Sequence, residues 1–148
     1  MLTIQQSTLS GNSAAFASGA IQNDGLLTIA QSTLSDNTAP FGAAILNALG
    51  TLTVEHSNLF GNSATAGSGG AIWNQATVTI DHSDLSGNSA SISGGGIDNE
   101  MTGTVTASFS TVCGNSAPTG ADLFNNGSAT LQNSDVCLID GSGELTTQ

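Results

Sequence analysis

The stretch LTIQQSTLSGNS, residues 2–13, decides the fold because it returns along the chain with only small changes. The later copies are LTIAQSTLSDNT at 27–38, LTVEHSNLFGNS at 52–63, VTIDHSDLSGNS at 78–89, VTASFSTVCGNS at 105–116 and ATLQNSDVCLID at 129–140. Successive copies begin 25, 25, 26, 27 and 24 residues apart. Such a period is typical of chains in which one supersecondary unit stacks on copies of itself.

Each copy alternates apolar and polar residues, as a strand with one buried face requires. Leu27 and Ile29, for example, flank Thr28, and the Gly-, Ser- and Ala-rich segments between strands show no helical spacing. The sequence therefore predicts an all-β fold, a right-handed single-stranded parallel β-helix (β-solenoid) of about six coils of 24 to 27 residues. We expect residues 1–148 to form a single solenoid domain, either on its own or as a slice of a longer repeat array.

A leucine-rich repeat has a similar period, but serine stands where that consensus requires leucine. These serines are Ser7, Ser32, Ser57, Ser83, Ser110 and Ser134. The remainder of each coil is also too rich in glycine for the helix of a leucine-rich repeat, which favours a solenoid without helices.

Asparagine recurs in two columns. The first holds Asn12, Asn37, Asn62, Asn88 and Asn115, and the second holds Asn23, Asn47, Asn74, Asn99 and Asn125. Amides stacked at a turn bond to the coils above and below and tolerate left-handed backbone angles. We therefore expect both columns to be structural ladders.

Four segments carry a family resemblance: GGAI at 69–72, GGGI at 94–97, LFGN at 59–62 and LSGN at 85–88. They resemble the GGAI and FxxN repeats of polymorphic outer membrane proteins, and the resemblance covers nearly the whole chain. It implies a noncatalytic structural or adhesive module of a secreted or cell-surface protein, located outside the cell. As partners we expect a second copy, by end-to-end or lateral association, or a host or surface protein or carbohydrate.

The charge of the chain excludes some classes of binding partner. The chain has 11 acidic residues and no Lys or Arg, which gives a formal net charge of −11. Without a cationic side chain the phosphates of a nucleic acid cannot be neutralised, so we expect no nucleic-acid partner. No apolar stretch is long enough to cross a bilayer, so we also expect no membrane insertion.

Titratable residues cluster at Glu55, His56, Asp81, His82 and Asp84. Imidazole and carboxylate groups both ligate divalent cations, so this set is a candidate metal site, and no other cofactor is expected. Two carboxylates facing a sugar also suit a polysaccharide-active enzyme, which is one alternative to a noncatalytic module. No nucleophile with a paired base occurs in a known motif, so we expect no catalytic residues.

Cys113 and Cys137 occupy the same position in consecutive coils. Neighbouring strands lie about 4.8 Å apart, a separation that a disulfide accepts. The sequence leaves two alternatives open, a disulfide that implies an oxidising compartment and a pair of reduced thiols.

Threonine recurs on the outward face of the first strand of every copy. The column holds Thr3, Thr28, Thr53, Thr79, Thr106 and Thr130, and Thr51, Thr77 and Thr104 double it in three consecutive coils. A regular threonine array resembles the ice-binding faces of solenoid antifreeze proteins. The pairs Thr51 and Thr53, Thr77 and Thr79, and Thr104 and Thr106 are therefore a candidate ice-binding face, and ice binding is a second alternative function.

Overall fold

The computed structural model describes all residues, 1–148, and contains 22 short strands and no helix. Every strand pair is parallel, and the strands form four sheets. The first sheet contains β1 (Leu2–Gln5), β4 (Leu26–Ala30), β8 (Thr51–Glu55), β12 (Thr77–Asp81), β16 (Thr104–Ser108), β19 (Ser128–Gln132) and β22 (Glu144–Thr147). The second contains β2 (Thr8–Ser10), β5 (Thr33–Ser35), β9 (Asn58–Phe60), β13 (Asp84–Ser86), β17 (Thr111–Cys113) and β20 (Asp135–Val136). The third contains β6 (Thr38–Ala39), β10 (Ser63–Ala64) and β14 (Ser89–Ala90). The fourth contains β3 (Ile21–Asn23), β7 (Ile45–Asn47), β11 (Ile72–Asn74), β15 (Ile97–Asn99), β18 (Leu123–Asn125) and β21 (Ile139–Asp140).

The chain visits these sheets in turn and stacks each new coil on the last, so the predicted parallel β-solenoid is confirmed. Equivalent residues pair in register, as Leu52 does with Leu27 and with Val78. The six copies of the repeat enclose about five complete turns rather than six, because the turn after Ala129 is cut short and Leu145 already pairs with it. The right-handed sense of the coil stays a prediction.

The core is a continuous aliphatic column inside the four sheets. Residues from all coils that share a position on a strand lie above one another, and twenty of them form one buried cluster. They are Leu27, Leu52, Val78, Val105 and Ala129; Ile29, Val54, Ile80, Ala107 and Leu131; Leu34, Leu59, Leu85 and Val112; Ile45, Ile72, Ile97 and Leu123; and Ala44 and Ala71. Full burial of one larger side chain of this kind contributes about 1.5–3 kcal/mol, and each also packs on its equivalents in the neighbouring coils.

The first asparagine column forms a buried hydrogen-bonded ladder, as predicted. In each step one Oδ1 atom accepts both the backbone N–H and the side-chain Nδ2 of the asparagine one coil earlier. Asn37, for example, donates to Asn62 Oδ1 from its backbone N at 3.1 Å and from its Nδ2 at 2.9 Å. The same Nδ2 also donates to the carbonyl of Leu9 in the preceding coil. Each amide therefore pairs polar groups that the corner of the coil would otherwise leave unpaired.

The second asparagine column also forms a ladder, as predicted, in which each Nδ2 donates to the Oδ1 of the asparagine one coil later. Its Nδ2-to-Oδ1 distances lie between 2.7 and 2.8 Å from Asn23 to Asn125. In both ladders the Nδ2 donates toward the C-terminal coil, so each ladder needs an acceptor at that end. The first ladder ends on the carboxylate of Asp122, which accepts both bonds from Asn115. The second ends on the carbonyl of Glu144, which accepts from Asn125.

Serine forms a third ladder, at the corner between the first and second sheets. Each serine hydroxyl donates to the carbonyl two residues earlier and accepts the backbone N–H of the serine one coil earlier. For Ser57 these partners are the carbonyl of Glu55 at 2.7 Å and the N–H of Ser32 at 3.0 Å. The residue before each serine is left-handed, with φ between 45° and 50°, at Gln6, Gln31, His56, His82, Phe109 and Asn133. The serines that disfavoured a leucine-rich repeat are therefore what holds this corner.

Gly70 shows why the GGAI segments need glycine. A Cβ atom added there would lie 2.2 Å from the carbonyl oxygen of Gly95 in the next coil, closer than packing allows. The preceding Gly69 has φ +71°, a conformation that costs a residue with a side chain extra free energy.

Asn62→Ala is predicted to destabilise the chain by about 3 kcal/mol or more, because it leaves several buried donors and acceptors unpaired. The substitution removes the acceptor of Asn37 and the donor to Asn88 and to the carbonyl of Leu34. Urea denaturation followed by circular dichroism measures the change in free energy of unfolding. Asn58→Ala is the matched control, because Asn58 lies in the same coil with its side chain exposed. Similar losses in the two variants would contradict a stabilising ladder.

Candidate functional site

The outward face of the first sheet carries the threonine column. All six predicted members are in register, and a seventh, Thr146, pairs with Thr130. The doubling residues Thr51, Thr77 and Thr104 also pair with one another and are exposed. The result is one open hydroxyl array that runs across all seven strands.

Carboxylates border this array over part of its length. Glu55 and Asp81 pair in register and lie on the same face of the first sheet, two residues beyond Thr53 and Thr79. Both side chains are half-buried. The face therefore combines neutral hydroxyls with an acidic edge, and this edge leads directly to the corner that carries the histidines.

Three rings stack along that corner. The centroids of His56 and His82 are 5.0 Å apart with their planes 6° from parallel, and Phe109 stacks on the other side of His82 at 5.0 Å. His82 Nδ1 lies 2.9 Å from Asp81 Oδ2. The stack follows from the serine ladder, because all three rings sit on the left-handed residue that precedes each serine.

The five residues of the candidate metal site are only partly brought together. His56, His82 and Asp81 lie side by side, whereas Asp84 lies past the corner on β13, where it accepts a hydrogen bond from Ser86. No three ligand atoms of the set come within 4.8 Å of one another; the group that meets this distance is Cys113, Asp135 and Cys137. Its two sulfurs are bonded to each other, so the cysteines of that group are not available to a metal ion.

Cys113 and Cys137 form a disulfide across the last two coils, with their Cα atoms 5.2 Å apart. The bond continues the pairing of β17 with β20, in which Val112 pairs with Val136. Cys137 is exposed. Of the two alternatives that the sequence leaves open, the structure contains the disulfide, and it fastens the shortened final turn to the regular coils.

A buried acid, Asp98, lies among aromatic residues on the outward face of the fourth sheet. It pairs in register with Trp73 on one side and Phe124 on the other, and it is only 2% exposed. The Ser93 hydroxyl donates to Asp98 Oδ2, and Asp98 Oδ1 has no hydrogen-bond partner. Burial raises the pKa of this carboxyl; the Ser93 hydrogen bond opposes the rise, and the nearby charge of Glu100 adds to it.

The surroundings of Asp98 extend along the rod. Trp73 Nε1 donates to Glu100 Oε1 at 3.1 Å, and Phe41 packs on Trp73 with ring centroids 5.4 Å apart. Asp98 was not among the residues predicted from sequence. In the sequence, the only indication that Asp98 is buried is its place in the repeat: the equivalent position in other coils holds Leu46, Trp73 and Phe124.

Comparison with models of known families, with curated proteins and with solved structures finds no significant match. The structure contains no helix of the length and hydrophobicity needed to span a membrane. The class of protein that the fold defines is a parallel β-solenoid with internal asparagine ladders.

Asp98→Asn is predicted to flatten the dependence of stability on pH. Because burial raises the pKa of Asp98, the folded chain holds this proton more tightly than the unfolded chain does. The stability gained is fully present below the ordinary value of 3.8 and is lost as the pH rises through the folded-state pKa. The variant cannot ionise at this position and should lose less stability on the way to neutral pH.

Urea denaturation between about pH 3.5 and about pH 7 measures this dependence. Asp24→Asn, an exposed acid-to-amide change, controls for the loss of one negative charge from an acidic chain. Equal slopes for the wild type and Asp98→Asn would contradict the assignment.

Proposed function

We propose that this chain is a noncatalytic structural or adhesive module of a secreted or cell-surface protein. The observation that carries the proposal is the Cys113–Cys137 disulfide, which joins two coils at an accessible position. Disulfides of this kind persist in oxidising compartments and are rare in the cytosol of mesophiles, where thiols are kept reduced. We therefore expect the protein to be located outside the cell, where the disulfide that fastens the final turn stays oxidised.

The sequence resemblance supports the adhesive part of the proposal. The GGAI and Leu-x-x-Asn motifs resemble those of polymorphic outer membrane proteins, and in this fold they supply the tight turns and the first asparagine ladder. A stack held by ladders presents broad outward faces at fixed spacing. Such faces suit contact with a repetitive partner, namely another copy of the chain, a surface protein or a carbohydrate.

Cell fractionation with thiol labelling tests this proposal. We expect the native protein in the surface or culture fraction, with both cysteines unreactive toward a maleimide until a reductant is added. A known cytoplasmic thiol protein provides the labelling control. Recovery of the protein from the cytoplasm with reactive thiols would contradict an extracellular role.

Ice binding is a second candidate, favoured by the threonine array that spans all seven strands of the first sheet. Hydroxyl and methyl groups repeat along it at the strand spacing of about 4.8 Å, which offers ordered water a regular surface. The carboxylates of Glu55 and Asp81 on the same face oppose this function, because charged groups hold water in other arrangements.

Thr79→Tyr separates the two candidates. An ice-binding face should show thermal hysteresis in the wild type and lose most of it when a bulky ring interrupts the array. Thr111→Tyr is the control, because Thr111 is an exposed threonine on the second sheet. No hysteresis in the wild type, or equal hysteresis in the two variants, would exclude ice binding by this face.

A further inference from the structure

Two imidazoles lie side by side at one place on the surface. His56 and His82 come from adjacent coils, and their rings are nearly parallel with centroids 5.0 Å apart. Both residues are exposed, and both occupy the left-handed corner that the serine ladder holds. The corner directs the two side chains the same way, so their ring nitrogens meet solvent together.

Asp81 determines which nitrogen of His82 is free. Its Oδ2 atom lies 2.9 Å from His82 Nδ1, and a carboxylate can only accept, so Nδ1 carries the proton in the neutral ring. The lone pair is then on Nε2, which is the atom available to a ligand. A carboxylate that orients an imidazole through its other nitrogen is the arrangement found behind metal-ligating histidines.

The separation of the rings suits chelation once their outer edges tilt together. Metal–imidazole bonds are about 2.0–2.1 Å long, so two nitrogens on one tetrahedral ion lie about 3.3 Å apart. Rings with centroids 5.0 Å apart must therefore approach by somewhat more than about 1.5 Å at their outer edges, and exposed side chains can make this change by tilting. Phe109 supports the opposite face of His82 and limits the tilt in the other direction.

The surrounding negative charge favours binding of a cation, and no cationic side chain competes with a metal ion for the carboxylates. Glu55 lies beside Asp81 in register, and the chain has no Lys or Arg to occupy the acidic edge. Imidazole ligands prefer Zn²⁺, Ni²⁺ and Cu²⁺ to Ca²⁺ and Mg²⁺, which prefer oxygen. The same corner in other coils holds Gln6, Gln31 and Asn133, so the paired imidazoles occur at this one level.

We propose that His56 and His82 together bind a divalent transition-metal ion, with Asp81 as a positioning residue for His82. Of the five residues in the cluster, two are ligands and Asp81 positions one of them; water completes the coordination, and Asp84 takes no part. It is independent of the proposed adhesive role, because it rests on the histidine pair and not on the location of the protein.

Isothermal titration calorimetry with Ni²⁺ and with Zn²⁺ tests the proposal on the intact chain. We expect one equivalent to bind, and His56→Gln or His82→Gln to weaken binding by about a hundredfold, because either change removes the chelate. The double variant removes both imidazoles and should bind at least as weakly as either single variant. Glutamine is a safe replacement, since Gln31 already occupies the equivalent corner, and circular dichroism verifies the fold.

The role of Asp81 has its own comparison. Asp81→Asn should weaken Zn²⁺ binding by about tenfold, as loss of an orienting carboxylate does. Asp84→Asn removes the same charge nearby without touching either ring and should have a smaller effect. Equal effects of these two substitutions would overturn the positioning role.

Ca²⁺ distinguishes chelation by imidazole from simple attraction to the acidic edge. The proposal requires that Ca²⁺ bind far more weakly than Zn²⁺. Wild-type affinity for Zn²⁺ in the His82→Gln variant, or equal affinity for Ca²⁺ and Zn²⁺, would overturn it.

Discussion

Pairing of the backbone polar groups at the corners is the constraint on which this structure depends. Strands of two to five residues can satisfy their own N–H and C=O groups only by pairing with adjacent coils, and each corner interrupts that pairing. Asn62 and Ser57 show the solution, because each side chain accepts a backbone N–H from the previous coil while donating to a carbonyl. The aliphatic core then needs only short strands to close around it.

The ladders also have a direction. Every asparagine of the two columns donates its Nδ2 to an acceptor nearer the C-terminal end of the stack, so each chain of bonds needs a final acceptor. Asp122 supplies one as a carboxylate and Glu144 another as a carbonyl. This direction explains why a buried acid is tolerated at position 122, although the chain has no Lys or Arg to pair with it. The Asp122 carboxylate accepts three hydrogen bonds, two from Asn115 and one from the backbone N–H of Leu138. Asp98 is the contrast, with one oxygen unpaired and a raised pKa.

The repeat predicted the architecture because period and strand alternation survive every substitution along the chain. The asparagine columns were also predictable, since a stacked amide has both donor and acceptor. The serine ladder was not, because serine is common on any polar surface and its hydroxyl role depends on the left-handed residue before it. The role of Asp122 was not predicted, because this residue lies only seven positions after Asn115 and not one repeat length away, as the other members of the ladder do. Thr146 was missed because the last turn is shorter than the period.

The outward residues were harder to predict than the inward ones. Sequence spacing placed Glu55, Asp81 and both histidines in neighbouring columns, but not the ring stack, which depends on the backbone angle at the corner. Spacing also placed Cys113 above Cys137, but equal registers suit two thiols as well as a disulfide. Asp98 gave no pattern, because its column mixes apolar and polar residues from coil to coil, among them Leu46, Trp73 and Asp140.

Amide hydrogen exchange measured residue by residue by NMR tests most directly whether side-chain ladders hold the coils together. The relevant amides are those of Ser32, Ser57, Asn37 and Asn62, which lie outside the strands and donate to side-chain oxygens. If the ladders are permanent, these amides exchange as slowly as those of the buried strands, at rates set by global unfolding. Exchange as fast as that of exposed turns would show that the corners open freely, and would contradict the account.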